Sequence, residues 1–382
     1  MALRDREKLM RARTLMKIEH AARPYIVSML PPKIAIQIYS RGRREFLHRL
    51  DRERPEQYKL PDHLKRNLWG LQFGPLMNAA GMFKNCECYP MTALQGAGGY
   101  LAGTSEYFPW KGNEKNGVYL PFVPYPRSGS ASNWLGLPTE GDHSNASKIE
   151  RLVRISDTPV GQSVAEQPGN MYDNDKMKNL ALGMWVYEMA GVDFIEVNDC
   201  PNVVEHADGM TRQEKLAYIS EHFLKRRERK LPVIVKISPD IKPGSVSETM
   251  DMLFELGFDG VNFGNASKDY ARHRESIHPT ERSLYDYYTS TFTGAVSGKP
   301  LKEISLELAG RAAEYLRAGP PVQEFHVIRT GGIESAQDIV DSDRAGISLN
   351  EWLTGYWSAF VENGHDVYRL LYEEYDRIKK AA

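Results

Sequence analysis

From about residue 70 onward, short apolar runs alternate with helix-patterned segments, and this alternation limits the possible folds more than any other feature of the chain. The predicted strands are Leu76–Ala80, Tyr100–Gly103, Val160–Val164, Phe194–Asn198, Val233–Ile237, Gly260–Phe263, His326–Arg329 and Ile347–Leu349. Eight strand–helix units spread over nearly 300 residues fit an α/β fold of the (β/α)8 TIM-barrel kind with insertions, better than an open sheet. At 382 residues, with 41% hydrophobic and 26% charged side chains, the chain can bury such a core. No GxGxxG follows the first strand, which argues against a Rossmann dinucleotide domain, and no internal repeat is visible.

The segment ahead of the barrel has a different character. Residues 1–60 carry about twice as many Lys and Arg as Asp and Glu. Leu9, Met10, Leu15, Met16 and Ile18 fall loosely at helical spacing, and Pro31-Pro32 interrupts the pattern before Ile34, Ile36, Ile38 and the basic cluster Arg41, Arg43 and Arg44. This predicts a basic helical N-terminal extension over 1–65 and a barrel over 66–382. The extension reads either as a solvated arm docked on the barrel or as an amphipathic surface resting on an anionic membrane. The formal net charge of −1 gives no reason to expect nucleic-acid binding. Three cysteines, Cys86, Cys88 and Cys200, form no CxxC pair, so the expected compartment is reducing and the expected location cytoplasmic, with peripheral membrane contact left open. Cys86 and Cys88 have no His nearby, so no metal site is expected, and no apolar run approaches a membrane span.

Small and polar residues crowd the predicted strand ends, where parallel α/β folds build their active sites. Phe194-Ile195-Glu196-Val197-Asn198-Asp199-Cys200-Pro201-Asn202 delivers a cysteine into a cluster of amides. A cysteine there can exchange a proton, and the flanking asparagines can hold a polar heterocycle. The first strand ends in Asn78-Ala79-Ala80-Gly81-Met82-Phe83-Lys84-Asn85, whose small residues let a planar ring approach and whose Lys84 can meet an anion. Thr104, Gln162, Ser163, Lys236 and Gly264-Asn265-Ala266-Ser267 occupy the corresponding ends of later strands. Gly298, Thr330-Gly331-Gly332-Ile333 and Thr354-Gly355 offer backbone amides after strands seven and eight, the usual phosphate site of such barrels. A phosphate cradle, a lysine reaching into the barrel and a polar pocket together suggest a phosphorylated cofactor.

As an ordered set from about Leu68 to Tyr372, these motifs resemble the dihydroorotate dehydrogenase family of FMN barrels. The segments that carry the resemblance are Asn78–Asn85, Asn133–Pro138, Cys200–Asn202, Pro232–Asp240, Ser297–Leu301, Gly331-Gly332-Ile333 and Thr354-Gly355. The resemblance implies FMN with its phosphate at Gly298, Gly331, Gly332, Thr354 and Gly355. It places Ala80, Gly81, Thr104, Ser163, Asn198, Lys236 and Gly264 around the rest of the cofactor, with Lys236 stabilising the anionic reduced flavin. Dihydroorotate or orotate would be held by Lys84, Asn133, Asn202, Asn265 and Ser267. Cys200 would take the carbon-5 proton, Lys84 would assist, and Val203 to Thr211 would form a lid.

The pattern also departs from the family. In cytosolic members with a cysteine base, the base usually follows the strand asparagine by three positions, whereas Cys200 follows Asn198 by two. Arg329 stands where the phosphate loop has its first glycine, and is read either as a phosphate contact or as an outward-pointing side chain. Asn350-Glu351 replaces the usual Val-Gln. A cysteine base and the Asn133-Trp134-Leu135-Gly136-Leu137-Pro138 loop resemble soluble members, while Lys84 and the N-terminal extension resemble membrane-associated, quinone-reducing members. The sequence therefore leaves the acceptor open between quinone, fumarate, a nicotinamide reached through a partner, and oxygen, and leaves a homodimer open. Competing readings are a flavin barrel acting on another dihydropyrimidine or on dihydrouridine in RNA, and a repurposed, non-catalytic barrel that uses the arm to bind a partner. The segment Lys268 to Tyr288, rich in Tyr, Arg and His, reads as an insertion packed on the barrel mouth or a second subunit, or as an acceptor-docking surface.

Overall fold

The computed structural model describes residues 11–155, 157–169, 171–199 and 210–381. Its centre is a ring of eight parallel strands: β1 (Leu76–Asn78), β2 (Tyr100–Ser105), β3 (Val160–Val164), β4 (Phe194–Asn198), β5 (Val233–Ile237), β6 (Gly260–Phe263), β7 (His326–Thr330) and β8 (Leu349–Trp352). The strands follow one another around the ring in chain order, and β8 returns to pair with β1. The chain thus folds as the α/β barrel its strand spacing predicts. Backbone ladders join every neighbouring pair except β1 and β2. A side chain closes that seam. Asn78 Nδ2 donates to the Leu101 carbonyl at 2.7 Å, and the Leu101 amide donates to Asn78 Oδ1 at 3.2 Å. On either side, Gly98 N–H reaches the Leu76 carbonyl (2.8 Å) and Gly81 N–H reaches the Gly103 carbonyl (2.7 Å).

The lumen is filled from below by apolar side chains. Met77, Leu101, Phe194, Ile234, Ile328 and Leu349 pack with Leu68, Trp69 and Phe73 of a hairpin, Arg66–Leu68 and Leu71–Phe73, that plugs the amino-terminal end. The hairpin turns on Trp69 and Gly70, both at positive φ (54° and 78°), as a two-residue turn matching the strand twist requires. Strand β8 begins later than Ile347–Leu349. Gly346 (φ 84°) ends the Ala336–Ala345 helix, and Ile347 N–H still bonds back to Ser342, so extended backbone starts at Leu349. The strand then runs through Asn350 and Glu351, whose polarity hid it from apolar patterning.

A second, smaller core lies beside the barrel. Helix α1 (Ala12–Met29) and helix α2 (Pro32–Leu50) form the N-terminal arm, with Pro32 in the first turn of α2, where its missing N–H does no harm. Ala35, Ile36 and Tyr39 of α2 pack against Tyr285, Tyr288 and Phe292 of the Arg282–Phe292 helix. Val123, Tyr125 and Val296 of a small antiparallel sheet (Phe122–Tyr125, Ser130–Asn133, Ala295–Gly298) complete this cluster. The Tyr-rich insertion is therefore tied to the arm through buried rings. Ile18, Tyr25, Met29, Leu30, Ile34 and Ile38 of the arm stay exposed. No helix among the described residues is long and apolar enough to cross a membrane.

Arg329 follows the second of its two readings. It is fully buried and points outward, where its guanidinium donates to the carbonyls of Lys302 (2.9 Å) and Asp338 (3.2 Å) and to the hydroxyls of Ser305 and Ser342 (3.0 Å each).

Candidate active site

Side chains alternate inward and outward along a strand, so the lumen residue two positions beyond each apolar plug residue faces the next layer up. That step leads from Phe194 to Glu196, Ile234 to Lys236, Gly260 to Asn262, Ile328 to Thr330 and Leu349 to Glu351. Five consecutive strands each contribute one polar group to a continuous chain. Lys236 Nζ donates to Glu196 Oε1 (2.8 Å), and Asn262 Nδ2 donates to Glu196 Oε2 (2.9 Å). Thr330 Oγ1 lies 3.0 Å from Asn262 Oδ1 and 2.8 Å from Glu351 Oε2. Burial and the nearby Glu196 carboxylate push the Glu351 acid up to about 8.

A second chain crosses the mouth. Thr104 and Ser163 hydroxyls meet at 3.0 Å, Asn198 Nδ2 donates to Thr104 (3.2 Å), and Asn265 Nδ2 donates to Asn198 Oδ1 (3.1 Å). The structure thus joins four of the sequence-predicted residues into one hydrogen-bonded set.

The glycine positions also converge. Gly331 and Gly332 have φ of 121° and 70°, and a Cβ on Gly332 would lie 2.3 Å from Lys302 Cα. A Cβ on Gly355 would meet the Ile333 carbonyl at 2.1 Å, and one on Gly298 would meet Thr354 Cγ2 at 2.9 Å. A Cβ on Gly264 would strike the Thr330 carbonyl at 2.1 Å, so that glycine is required by close backbone approach. The Thr354–Asn363 helix starts at this junction with no side-chain cap on its first turn, and Thr354 Oγ1 rests 3.0 Å from Ser297 Oγ. An uncapped helix start among glycines presents backbone N–H groups and the positive end of the helix dipole.

Lys84 stands beside a cavity of about 450 Å³ between α2 and the barrel mouth, lined also by Arg43, Arg44, His48, Asp51, Trp110, Lys111 and Glu140. It is 7% exposed, and no hydrogen-bond or ion-pair partner is found for its ammonium among the described residues. Burial, then repulsion from Arg43, lowers it to about 8. Arg43 reaches in from α2 to the Gly81 carbonyl (3.0 Å), so the arm contributes directly to the mouth. Ala80 and Gly81 lie half-buried just before this point. Glu106 is completely buried, and desolvation holds its acid well above the usual range, with Lys84 opposing the shift.

Two expected positions join neither hydrogen-bonded chain among the described residues. Asn133 sits in the small sheet opposite Ala295 and Phe122. The Ser267 hydroxyl is taken up by Asp240 and by His273 Nε2 (2.8 Å), and its backbone pairs with Val296. Cys200, Asn202 and most of the Val203–Thr211 segment lie outside the described residues. Sequence reading of strand ends passed over Glu196 and Asn262, and noted Glu351 only as a departure. The signal for all three is the two-residue step from a lumen-facing apolar residue.

Comparison with known proteins agrees with this fold. The family model described as dihydroorotate dehydrogenase matches residues 63–373. The chain belongs to the dihydroorotate dehydrogenase family. Similar curated relatives include the dihydroorotate dehydrogenase (quinone) of Mycobacterium ulcerans, 28% identical over 308 residues, covering 79% of each chain. That of Aeromonas hydrophila is 26% identical over 306 residues, covering 78% of this chain and 83% of the relative. Among solved structures, ligand-free DHODH from Eimeria tenella superposes with a TM-score of 0.71 at 20% identity, covering 91% of this chain and 96% of that one, which bears on the fold. Members of the dihydroorotate dehydrogenase family are oxidoreductases acting on a CH–CH group.

Proposed function

We propose that this protein oxidises (S)-dihydroorotate to orotate with FMN as its bound cofactor and a quinone as electron acceptor. The observation that supports the reading best is Lys84, a buried ammonium facing a cavity with no partner among the described residues. A buried cation of this kind favours a carboxylate ligand, and dihydroorotate carries one. The uncapped start of the Thr354–Asn363 helix, with Gly298, Gly331, Gly332 and Gly355 around it, fits a phosphate. Ala80, Gly81, Thr104, Ser163, Asn198, Lys236 and Gly264 would surround the remainder of the cofactor.

FMN, when bound, supplies the acceptor for the hydride leaving carbon 6 of the substrate. The chain's own residues do the rest. Lys84 holds the substrate carboxylate, while Asn133, Asn202 and Asn265, with Ser267, orient the ring. Cys200 Sγ takes the carbon-5 proton. A thiol near its ordinary value of about 8.5 is mostly protonated at neutral pH, so the Lys84 ammonium also serves to favour the thiolate.

The arm supports a reading of the acceptor and location. The relatives named above are quinone-reducing, and the exposed Ile18, Tyr25, Met29, Leu30, Ile34 and Ile38 favour peripheral contact with a membrane that holds the quinone. A second reading of the acceptor, fumarate, is favoured by the charged lining of the cavity, which includes Arg43, Arg44, Lys84 and Lys111. Anaerobic stopped-flow mixing with dihydroorotate tests the first half-reaction. Bleaching of an oxidised-flavin band is expected, and reoxidation by quinone but not fumarate would decide the acceptor. A yellow protein that stays yellow would discard the substrate.

A further inference from the structure

The polar chain across β4 to β8 can be counted proton by proton. Lys236 and Asn262 approach the two oxygens of Glu196 at 2.8 and 2.9 Å. At the other end, Thr330 Oγ1 lies within hydrogen-bond distance of both Asn262 Oδ1 and Glu351 Oε2. A hydroxyl has one hydrogen and cannot donate to both. With both carboxyls ionised, one of these contacts would set lone pairs against lone pairs among groups that, the half-buried Thr330 apart, are buried. A single additional proton repairs the chain, and it can sit at either end. On Glu351, bonds run Glu351 to Thr330 to Asn262 to Glu196. On Glu196, the amide turns over and every bond reverses. Lys236 breaks the tie, because its ammonium at 2.8 Å favours a charged Glu196.

We propose that Glu196 and Glu351 share one proton and that the chain stores it on Glu351, so that this layer of the barrel carries no net charge near neutral pH. Glu351 is 1% exposed, and its Oε1 has no hydrogen-bond partner among the described residues, a burial that a neutral acid tolerates better than a carboxylate. The titratable groups facing it are Glu196 and Lys236, with Thr330 and Asn262 as the hydrogen-bonding neighbours. Its β1 neighbour across the ladder is the apolar Met77. When the proton leaves at alkaline pH, the layer changes from Lys⁺/Glu⁻ to Lys⁺/Glu⁻/Glu⁻ and becomes negative. Glu351 is thus a positioning residue that acts through Thr330, Asn262 and Glu196 on the charge around Lys236. A glutamine, usual at this position in the family, supplies a permanently neutral donor and has no such transition.

The consequence for electron transfer rests on the flavin reading above. A layer that turns negative disfavours an anionic reduced flavin nearby, so the flavin potential should fall more steeply with pH across the Glu351 transition in the native protein than in Glu351→Gln.

The test is infrared difference spectroscopy of the full chain, both as purified and after flavin removal, titrated from neutral to alkaline pH. Beside the band of the buried Glu106 acid, a second protonated-acid carbonyl band is expected at neutral pH, lost on alkaline titration and missing in Glu351→Gln. In Glu196→Gln, with the repelling carboxylate gone, the second band should vanish at lower pH. Absence of the second band in the native protein, its persistence in Glu351→Gln, or an unchanged midpoint in Glu196→Gln would overturn the proposal. Potentials that track together in the native protein and Glu351→Gln would overturn the charge effect. A protein that takes up no FMN would refute the flavin reading alone, because the infrared signal needs no flavin.

Discussion

Replacing Lys236 by Met removes the only cation among the described residues within salt-bridge distance of Glu196 and leaves a carboxyl group that is 1% exposed. At 2.8 Å and an effective dielectric constant of about 20, the lost attraction is about 6 kcal/mol before desolvation is subtracted. Removing one partner of a buried pair typically costs about 3–5 kcal/mol, since the survivor stays desolvated or must take up a proton. Asn262 still donates to Glu196 and softens the loss, so we expect Lys236→Met to destabilise the fold by about 3–4 kcal/mol. Adding Glu196→Gln should recover at least half, because a neutral amide needs no counter-charge and its oxygen still accepts from Asn262. The assay is urea unfolding of the native protein, both single variants and the double variant, followed by tryptophan fluorescence with any flavin removed, so that ligand linkage does not enter. A loss under about 1 kcal/mol in Lys236→Met, or a double variant no more stable than that single variant, would refute the reasoning.

Other perturbations probe the remaining parts. Gly332→Ala places a methyl group 2.3 Å from Lys302 Cα at φ 70°, so flavin retention after gel filtration should fall sharply while the far-ultraviolet spectrum stays native. Lys84 is cationic below about 8, so orotate affinity measured by calorimetry should be flat at lower pH and weaken by up to about tenfold per unit above it. In Lys84→Ala that dependence should disappear together with most of the affinity. Arg329→Gly, which restores the glycine usual at that position, strips four hydrogen bonds from two helices and should cost about 3 kcal/mol or more, seen as a lower urea midpoint.

The barrel was legible because its strands are apolar runs of ordinary length, and seven of the eight were placed within a residue or two. The eighth was displaced because two buried polar residues interrupt the apolar pattern, Glu351 facing the lumen and Asn350 facing away from it. Thr104, Ser163, Asn198 and Asn265 were legible as strand-end polar residues, and the structure links them. Glu196 and Asn262 were not, since a charged or amide side chain inside an apolar strand gives no sign of a partner two strands away. Arg43 was visible only as one member of a basic cluster. Its reach to the Gly81 carbonyl depends on how α2 docks, which no local pattern encodes. Arg329, open between two readings in the sequence, was decided by the packing of the helices behind its strand.

The seam between β1 and β2 leaves position 78 almost no freedom. Every other join in the ring is written in main chain and tolerates many side chains, whereas here the Asn78 amide stands in for a peptide group, offering one donor and one acceptor to Leu101. Aspartate would lose the donor, leucine both, and glutamine would overshoot by a methylene. Drift in this sequence can rewrite most of the barrel wall, but between the two main-chain bonds that flank it, this stretch of the seam is spelled by a single letter.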